Sequence, residues 1–159
     1  MSTLTETTQM TDTNTIEKEI TLRAPHARVW RALTDAQEFG AWFGITLDGS
    51  FKPGQPIHGR MSNPKYAHID FEFVVETIVP EELFSYRWHP YALDTAVDYS
   101  KEQKTLVEFH LSDTPEGTML RVIESGFDHV PAGRRAEAFL MNGKGWTAQV
   151  ENIRRYVEK

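Results

Sequence analysis

Stretches in which apolar and polar residues alternate recur along most of the chain. In the first of them, residues 15–23, Ile16, Ile20 and Leu22 share one face, and polar or charged residues occupy the other. Alternation with a period of two is typical of a β-strand with one buried face. On this basis the sequence predicts strands over residues 15–23, 45–51, 55–61, 68–79, 83–88, 105–112 and 118–125.

Two short helices are predicted between the first and second strands. Pro25 fits the first turn of a helix, where its missing N–H does no harm, and Asp35 is a typical N-cap for the helix that follows. This second helix carries Trp42 and Phe43 close to Phe39. Large aromatic side chains on so short a segment must be buried, either by packing in the core or by lining a cavity.

The C-terminal stretch, residues 134–159, has the spacing of an amphipathic helix. One stripe of this helix contains Arg135, Phe139, Asn142, Gly143, Trp146, Val150, Ile153 and Val157. Asn142 and Gly143 interrupt the apolar stripe, although glycine costs roughly 1 kcal/mol in a helix interior. We therefore expect residues 139–146 to close a pocket, with Asn142 hydrogen-bonded either to a ligand or to a buried group of the protein. Residues 150–157 are expected to anchor the helix.

Two other segments lack the periodicity of a helix or a strand. Residues 89–104 form a long connection with several apolar side chains, so we expect it to fold back over the domain, as long functional loops do. Residues 1–14 are rich in threonine and have almost no apolar periodicity, which predicts a disordered tail. Residues 15–159 are predicted to form one α+β domain, because the helices are segregated from a run of strands.

Composition and charge exclude several classes of function. The 159 residues carry a net charge of −6 and include no cysteine. Disulfides, thiolate metal sites and cysteine-ligated iron–sulfur clusters are therefore excluded, and no general attraction to nucleic acid is expected. No apolar run approaches the roughly 20 residues of a membrane span, and the N-terminus lacks the pattern of a signal peptide. We expect a cytoplasmic protein without a metal or cofactor.

Several short motifs accompany this order of predicted elements. They are residues 24–35 (APHARVWRALTD), Trp42-Phe43, Arg87-Trp88-His89-Pro90, Glu124-Ser125-Gly126-Phe127 and Gly145-Trp146. Together, over residues 15–159, they resemble the START-like (SRPBCC) superfamily, and within it the AHSA-type branch, the bacterial homologues of the activator of heat-shock protein 90 ATPase. The resemblance implies the helix-grip fold, in which a curved antiparallel β-sheet wraps around a long C-terminal α-helix and an internal cavity.

The resemblance also implies three kinds of function. The first is binding of a small hydrophobic or aromatic ligand in a lipid-binding-like cavity. The second is an enzyme of the cyclase, aromatase or hydrolase type. The third is a stress-response role as a chaperone-associated interaction module, with heat-shock protein 90 as the partner. We favour ligand binding by a monomer or weak homodimer, and the sequence leaves open whether a reaction is catalysed.

Glu124 is the one carboxylate that strand alternation places on the inward face of the last hairpin. Burial there would raise its pKa, so it could act as an acid or base in an enzyme, or hold a hydroxyl or amine of a ligand. Alternatively it is structural, paired with Arg87, Arg121 or Arg135 or hydrogen-bonded to Asn142. A β-bulge could also turn it outward. No other residue is assigned a catalytic role.

The predicted ligand-binding residues combine the aromatic strand faces with the middle of the C-terminal helix. His89 is added because it lies at the end of a strand under the long connection. Pockets are mostly apolar with a few placed polar groups, although many of these aromatic residues could equally pack in the core. The full set is Trp42, Phe43, Phe71, Phe73, Trp88, His89, Tyr91, Phe109, Glu124, Phe127, Phe139, Asn142, Gly143 and Trp146.

Overall fold

The computed structural model describes residues 13–159, and its main element is an antiparallel β-sheet of seven strands. The strands are β1 (Thr15–Leu22), β2 (Ile45–Asp48), β3 (Pro56–Met61), β4 (Asp70–Val79), β5 (Leu83–Trp88), β6 (Thr105–Thr114) and β7 (Gly117–Ser125). Their order across the sheet is β1-β7-β6-β5-β4-β3-β2. The helices are α1 (His26–Thr34), α2 (Ala36–Phe43) and α3 (Ala132–Val157), with a short 3-10 helix at Phe127–His129.

Consecutive hairpins build most of this sheet. From β2 to β7 each strand pairs antiparallel with the next along the chain, and β1 closes the far edge by pairing with β7. The helices α1 and α2 carry the chain from β1 at one edge to β2 at the other. The C-terminal half of α3 is anchored through Val150, Ile153 and Val157, which are buried. The expected α+β helix-grip fold is confirmed, since a curved antiparallel sheet wraps around a long C-terminal helix.

Short sequence signals position α1 and α2. Pro25 is the N-cap of α1, one residue before the helix begins. The carboxylate of Asp35 accepts hydrogen bonds from the backbone N–H groups of Gln37 and Glu38, both at 3.0 Å, and so caps α2 as predicted. The helix α2 ends at Gly44, whose φ of 88° lies in the left-handed region that favours glycine. These two sharp turns bring the aromatic face of α2 against the sheet.

The core is built mainly from aromatic rings. Phe39 of α2 is completely buried, and its ring centroid lies 4.7 Å from that of Trp42 and 6.2 Å from that of Phe109. Trp42 Nε1 donates a hydrogen bond to the carbonyl of Ala32 at 2.8 Å, so the one polar atom of this side chain is paired inside the core. Trp42 and Phe109 therefore pack in the core, which is one of the two interpretations that the sequence allows.

Several element boundaries differ from the predicted ones. The strand β2 ends at Asp48 instead of residue 51, because the next residue, Gly49, has a φ of 112° that takes the chain out of the sheet. The strand β4 begins at Asp70 instead of residue 68, and an irregularity between Val75 and Thr77 shifts its register against β5. The C-terminal helix begins and ends two residues earlier than predicted.

The start of the described chain is fastened to the end of β7. The carbonyl of Asn14 accepts a hydrogen bond from the backbone N–H of Gly126 at 3.2 Å, and its side-chain oxygen accepts one from that of Asp128 at 3.0 Å. The rest of the predicted tail, up to residue 12, lies outside the described residues. Among the helices of residues 13–159, none is long and apolar enough to cross a membrane.

One side chain ties the start of α1 to the β4–β5 turn and to the end of β6. His26 Nδ1 is hydrogen-bonded to the carboxylate of Asp113 at 2.7 Å, and His26 Nε2 to the carbonyl of Glu81. Both partners are acceptors, so the two hydrogen bonds together require the charged ring. The hydrogen bond to Asp113 is accordingly the main cause that raises the pKa of His26.

The long connection, residues 89–104, folds back over the start of α3, as expected. Arg134 donates hydrogen bonds to Glu102 (Nη2 to Oε1, 2.6 Å) and to the carbonyl of Pro90 at 2.8 Å. Its guanidinium carbon also lies 4.7 Å from the centre of the Tyr99 ring. The side chains of Arg134 and Glu102 are only 18% and 15% exposed, so this ion pair is largely withdrawn from water. It holds the connection beside the N-terminal part of α3.

Candidate ligand-binding site

A pocket of about 150 Å³, partly open to solvent, lies between one end of the sheet and the middle of α3. Its walls come from the end of α2, strands β2 to β5, the start of the 89–104 connection and one side of α3. The lining residues are Phe43, Ile45, Met61, Phe71, Phe73, Trp88, His89, Tyr91, Leu93, Met141, Asn142, Gly145, Trp146 and Gln149.

The space exists partly because α3 presents a glycine where a side chain would otherwise reach into it. Apart from the adjoining stretch of the helix, a Cβ atom built on Gly145 would meet no atom of residues 13–159 within 4 Å. One turn further along, Gln149 Nε2 donates a hydrogen bond to the carbonyl of Phe43 at 2.8 Å, which holds α3 to the end of α2. Beyond that contact the helix is buried at Val150 and Ile153. The helix is therefore anchored on the C-terminal side of the pocket.

Three lining side chains are polar, and each is already oriented by the protein. His89 Nε2 is hydrogen-bonded to the carbonyl of Glu102 at 3.0 Å. The amide of Gln149 is used at both ends, because its oxygen also accepts a hydrogen bond from Asn152 Nδ2 at 3.1 Å. Asn142 Nδ2 donates to Glu124 Oε1 at 3.0 Å. Within residues 13–159, no group of three or more His, Asp or Glu side chains could hold a metal ion.

Glu124 lies behind the pocket wall and is completely buried. Its inward orientation on β7 agrees with the prediction from strand alternation. Oε1 accepts hydrogen bonds from Asn142 Nδ2 at 3.0 Å and from Trp146 Nε1 at 2.8 Å. Oε2 accepts from Trp88 Nε1 at 2.7 Å and from Thr105 Oγ1 at 2.5 Å. The carboxylate thus links β5, β6, β7 and α3 at one point.

Among residues 13–159 no arginine pairs with Glu124, although the sequence allows Arg87, Arg121 or Arg135 as its partner. Arg87 pairs with Glu76 and Arg121 with Glu17, while Arg135 donates to a backbone carbonyl. Of the structural partners that the sequence allows for Glu124, only Asn142 is hydrogen-bonded to it among residues 13–159. Glu124 is therefore held by four neutral donors.

Burial and hydrogen bonding act on Glu124 in opposite directions. Burial raises the pKa of Glu124, because the charged form loses its water, and the four hydrogen bonds lower it; the net direction is upward. The indole N–H groups of Trp88 and Trp146 can only donate, and they bind different carboxyl oxygens. The Thr105 hydroxyl can reverse its hydrogen bond without moving. Protonation of Glu124 on Oε2 would therefore leave the other three hydrogen bonds in place.

The pocket brings together eight of the predicted ligand-binding residues: Phe43, Phe71, Phe73, Trp88, His89, Tyr91, Asn142 and Trp146. The other six, Trp42, Phe109, Glu124, Phe127, Phe139 and Gly143, do not line it. Phe127 and Phe139 pack against each other, with ring centroids 5.2 Å apart. Glu124 touches the pocket only through the side chains that it binds.

Six lining residues were not predicted from the sequence: Ile45, Met61, Leu93, Met141, Gly145 and Gln149. On α3 the signal was present, since Asn142, Gly145 and Gln149 follow one another at helical spacing. The predicted stripe instead placed Gly143 on this face. At about 100° per residue the two glycines lie roughly 200° apart, on nearly opposite sides of the helix. Hydrophobicity alone does not decide which of them faces the pocket.

Comparison with known proteins identifies relatives of the whole described domain. The chain matches the family model described as Activator of Hsp90 ATPase homolog 1-like protein over residues 23–158. No curated protein matches it significantly. Among solved structures it is similar to protein MLL2253 from Mesorhizobium loti, with 28% identity over 89% of this chain and 94% of that chain and a TM-score of 0.69.

Two other solved structures share the fold at lower identity. Protein BH1534 from Bacillus halodurans is 24% identical, with 91% of this chain and 96% of that chain covered and a TM-score of 0.67. The Aha1 dimer from Colwellia psychrerythraea is 16% identical, with 91% and 96% covered and a TM-score of 0.68. At these identities the comparison supports the fold alone.

Proposed function

The chain belongs to the Activator of Hsp90 ATPase homolog 1-like family, and from this premise we propose that it binds a small apolar or aromatic molecule in the pocket between the sheet and α3. The observation that carries the proposal is the lining of the pocket. Three of its fourteen side chains are polar, and the others are apolar, aromatic or glycine. A mostly apolar concave site with a few oriented polar groups is the usual form of a small-molecule site.

The volume of the pocket limits the size of the ligand. A dry cavity of about 150 Å³ in another protein accepts benzene, and the pocket here has about the same volume. Drug-sized ligands occupy sites of roughly 300 Å³ or more. We therefore propose a ligand that places about one aromatic ring in the pocket, with any larger part extending through the open side.

The geometry gives less support to an enzyme that uses Glu124. As an acid or base, Glu124 would need contact with a substrate, but it does not line the pocket and four protein donors occupy its oxygens. A partnership with heat-shock protein 90, a cytoplasmic location and a homodimer stay predictions. The related Aha1 structure is a dimer, so sedimentation of this chain would test the last of them.

Two glycines of α3 offer a matched test of the proposed site. Gly145 lines the pocket and Gly143 does not, and a Cβ atom at either would meet no atom within 4 Å. Both substitutions, Gly145→Leu and Gly143→Leu, therefore add the same side chain without a clash at the Cβ and improve helix propensity. Calorimetric titration with toluene, phenol and anisole, together with the NMR signals of the Trp88 and Trp146 indoles, measures binding.

We expect the unmodified protein to bind at least one of these probes with shifts of both indole signals. Gly145→Leu should abolish that binding because leucine fills the pocket, and Gly143→Leu should retain it. The proposal is wrong if no probe binds, or if the two leucine variants weaken binding equally.

A further inference from the structure

We propose that the pocket selects, among one-ring aromatic molecules, those that carry an uncharged hydrogen-bond donor, such as a phenol or an arylamine. This inference rests on the proposed function, since it presupposes that the pocket takes a ligand. It comes from the orientation of the Asn142 side chain, which leaves an acceptor on the pocket wall.

Glu124 determines which end of the Asn142 amide faces away from the core. Asn142 Nδ2 lies 3.0 Å from Glu124 Oε1, an oxygen that also accepts from the indole of Trp146. An amide oxygen in that position would face another acceptor, so the nitrogen belongs there. Asn142 Oδ1 is therefore turned away from the carboxylate. Within residues 13–159 it accepts no hydrogen bond, although its side chain lines the pocket.

This orientation does not depend on the charge of Glu124. The indoles of Trp88 and Trp146 donate to different oxygens of the carboxyl group, and neither can accept. A proton on Oε2 would be donated to Thr105, whose hydroxyl lies 2.5 Å away and can reverse its role. Asn142 would still donate to Oε1. The acceptor on the pocket wall is thus present in both protonation states.

The carboxylate also strengthens this acceptor and disfavours anions. A charged acceptor at the nitrogen end of an amide polarises it, which increases the partial negative charge on Asn142 Oδ1. No lysine or arginine is among the lining residues, so a carboxylate on a ligand would meet no cation there. The ionised form of Glu124 behind the wall would also repel it. Neutral donors are the complementary groups.

Of the other two polar lining residues, His89 agrees with this selection, and Gln149 adds at most one donor. His89 Nε2 is bonded to a carbonyl, so this nitrogen carries a hydrogen and Nδ1 is the acceptor of the neutral ring. The Gln149 oxygen is already used by Asn152, so Gln149 offers a ligand at most one N–H. A phenol can satisfy both arrangements, because its hydroxyl donates to one group and accepts from another.

Matched probes separate this inference from the proposed function. Phenol, toluene, anisole and benzoate have one ring each and differ in the polar group. Titration of the purified full chain should give phenol about five- to tenfold tighter binding than toluene or anisole, as expected for one net hydrogen bond, and no binding of benzoate. If toluene or anisole binds as tightly as phenol, the inference is overturned while the proposed function stands. If no probe binds, the proposed function itself fails.

Two variants assign the preference to one residue. Asn142→Leu removes the acceptor and should abolish the preference for phenol over anisole while toluene still binds. Gln149→Leu removes a lining amide whose oxygen is already used, so it should change the affinities for phenol and anisole by the same factor. Loss of the preference in Gln149→Leu, or its survival in a folded Asn142→Leu protein, would overturn the assignment. The probe series on the unmodified chain decides the inference even where Asn142→Leu does not fold.

Discussion

Replacing Glu124 by glutamine tests whether the buried carboxyl group stabilises the fold. Glutamine keeps the shape of the side chain but exchanges one acceptor oxygen for an NH2 group. If this group faces Trp146 and Asn142, Asn142 can turn its oxygen to it, but the Trp146 indole cannot accept. If it faces Trp88 and Thr105, the threonine can reverse its hydrogen bond, but the Trp88 indole cannot. One indole N–H is left unpaired in either orientation.

The magnitude follows from two opposing effects. An unpaired buried donor costs about 1–3 kcal/mol, and the remaining hydrogen bonds lose their charged acceptor, which is worth roughly 1 kcal/mol for each of them. Against this, glutamine has no charge to withdraw from water, and that cost is several kcal/mol for a buried ion. We expect Glu124→Gln to lower the free energy of unfolding at pH 7 by about 1–3 kcal/mol.

The difference between the two proteins should also depend on pH with a definite sign. Because burial raises the pKa of Glu124 above its ordinary value of 4.5, the folded protein takes up a proton at higher pH than the unfolded chain does. The unmodified protein should therefore gain stability relative to Glu124→Gln as the pH falls through the folded pKa towards the ordinary value of 4.5. Below that value both states are protonated and the difference stays constant.

Urea denaturation followed by tryptophan fluorescence measures these free energies, and the indole N–H region of the NMR spectrum shows which tryptophan loses its partner. The matched control is Glu76→Gln, at a carboxylate that binds Arg87 at 2.8 Å but is 43% exposed. An exposed pair of this kind contributes about 0–1 kcal/mol. If Glu124→Gln is at least as stable as the unmodified protein at pH 7, the desolvation of the carboxylate offsets or outweighs its four hydrogen bonds, and the reasoning is refuted.

Three further predictions concern contacts outside the pocket. The hydrogen bond to Asp113 raises the pKa of His26, so the stability from the charged ring is complete below the ordinary histidine value of 6.5 and is lost as the pH rises through the folded pKa. In urea denaturation, the difference in stability between the unmodified protein and His26→Gln should therefore shrink between pH 6 and pH 9. A constant difference would contradict this. Arg134→Met leaves the mostly buried carboxylate of Glu102 unpaired and should lower the free energy of unfolding by about 1–3 kcal/mol. Amide hydrogen exchange over residues 89–104 should become faster. Unchanged exchange there would refute the anchoring role of Arg134. Gly40→Ala should destabilise the protein by about 1–3 kcal/mol, because the added Cβ atom would lie 2.2 Å from the carbonyl oxygen of Ile45. Gly143→Ala, where the Cβ atom would enter open space, should stabilise the protein by up to about 1 kcal/mol. Thermal unfolding should therefore shift the two melting temperatures in opposite directions, and shifts of the same sign would contradict this.

The fold could be predicted from the sequence because its signals are local and agree with one another. Strand alternation and the Asp35 cap each depend on a few neighbouring residues, and both are found in the structure. The errors lie where a tertiary contact decides the outcome. The φ of Gly49 ends β2 early, and the register shift after Val75 depends on how β4 pairs with β5.

The candidate site was predicted less completely, for a physical reason. A residue in the core and a residue that lines an apolar pocket are both hydrophobic. Aromatic residues such as Phe109 in the core and Phe73 at the pocket therefore cannot be told apart in the sequence. Alternation correctly predicts that Glu124 faces inward. Its four donors come from three other elements, β5, β6 and α3, and that convergence is a property of the folded chain alone.

The position of Glu124 separates a role in shaping the pocket from a role in chemistry. Trp88 and Trp146 both line the pocket, and both donate to the carboxylate behind it. The same group thus orients two walls and the Asn142 amide between them. To act on a ligand as an acid or base, Glu124 would have to release at least one of these donors, and the wall that encloses the ligand would open at that point. The geometry therefore favours a carboxyl group that sets the shape and polarity of the pocket without touching its contents.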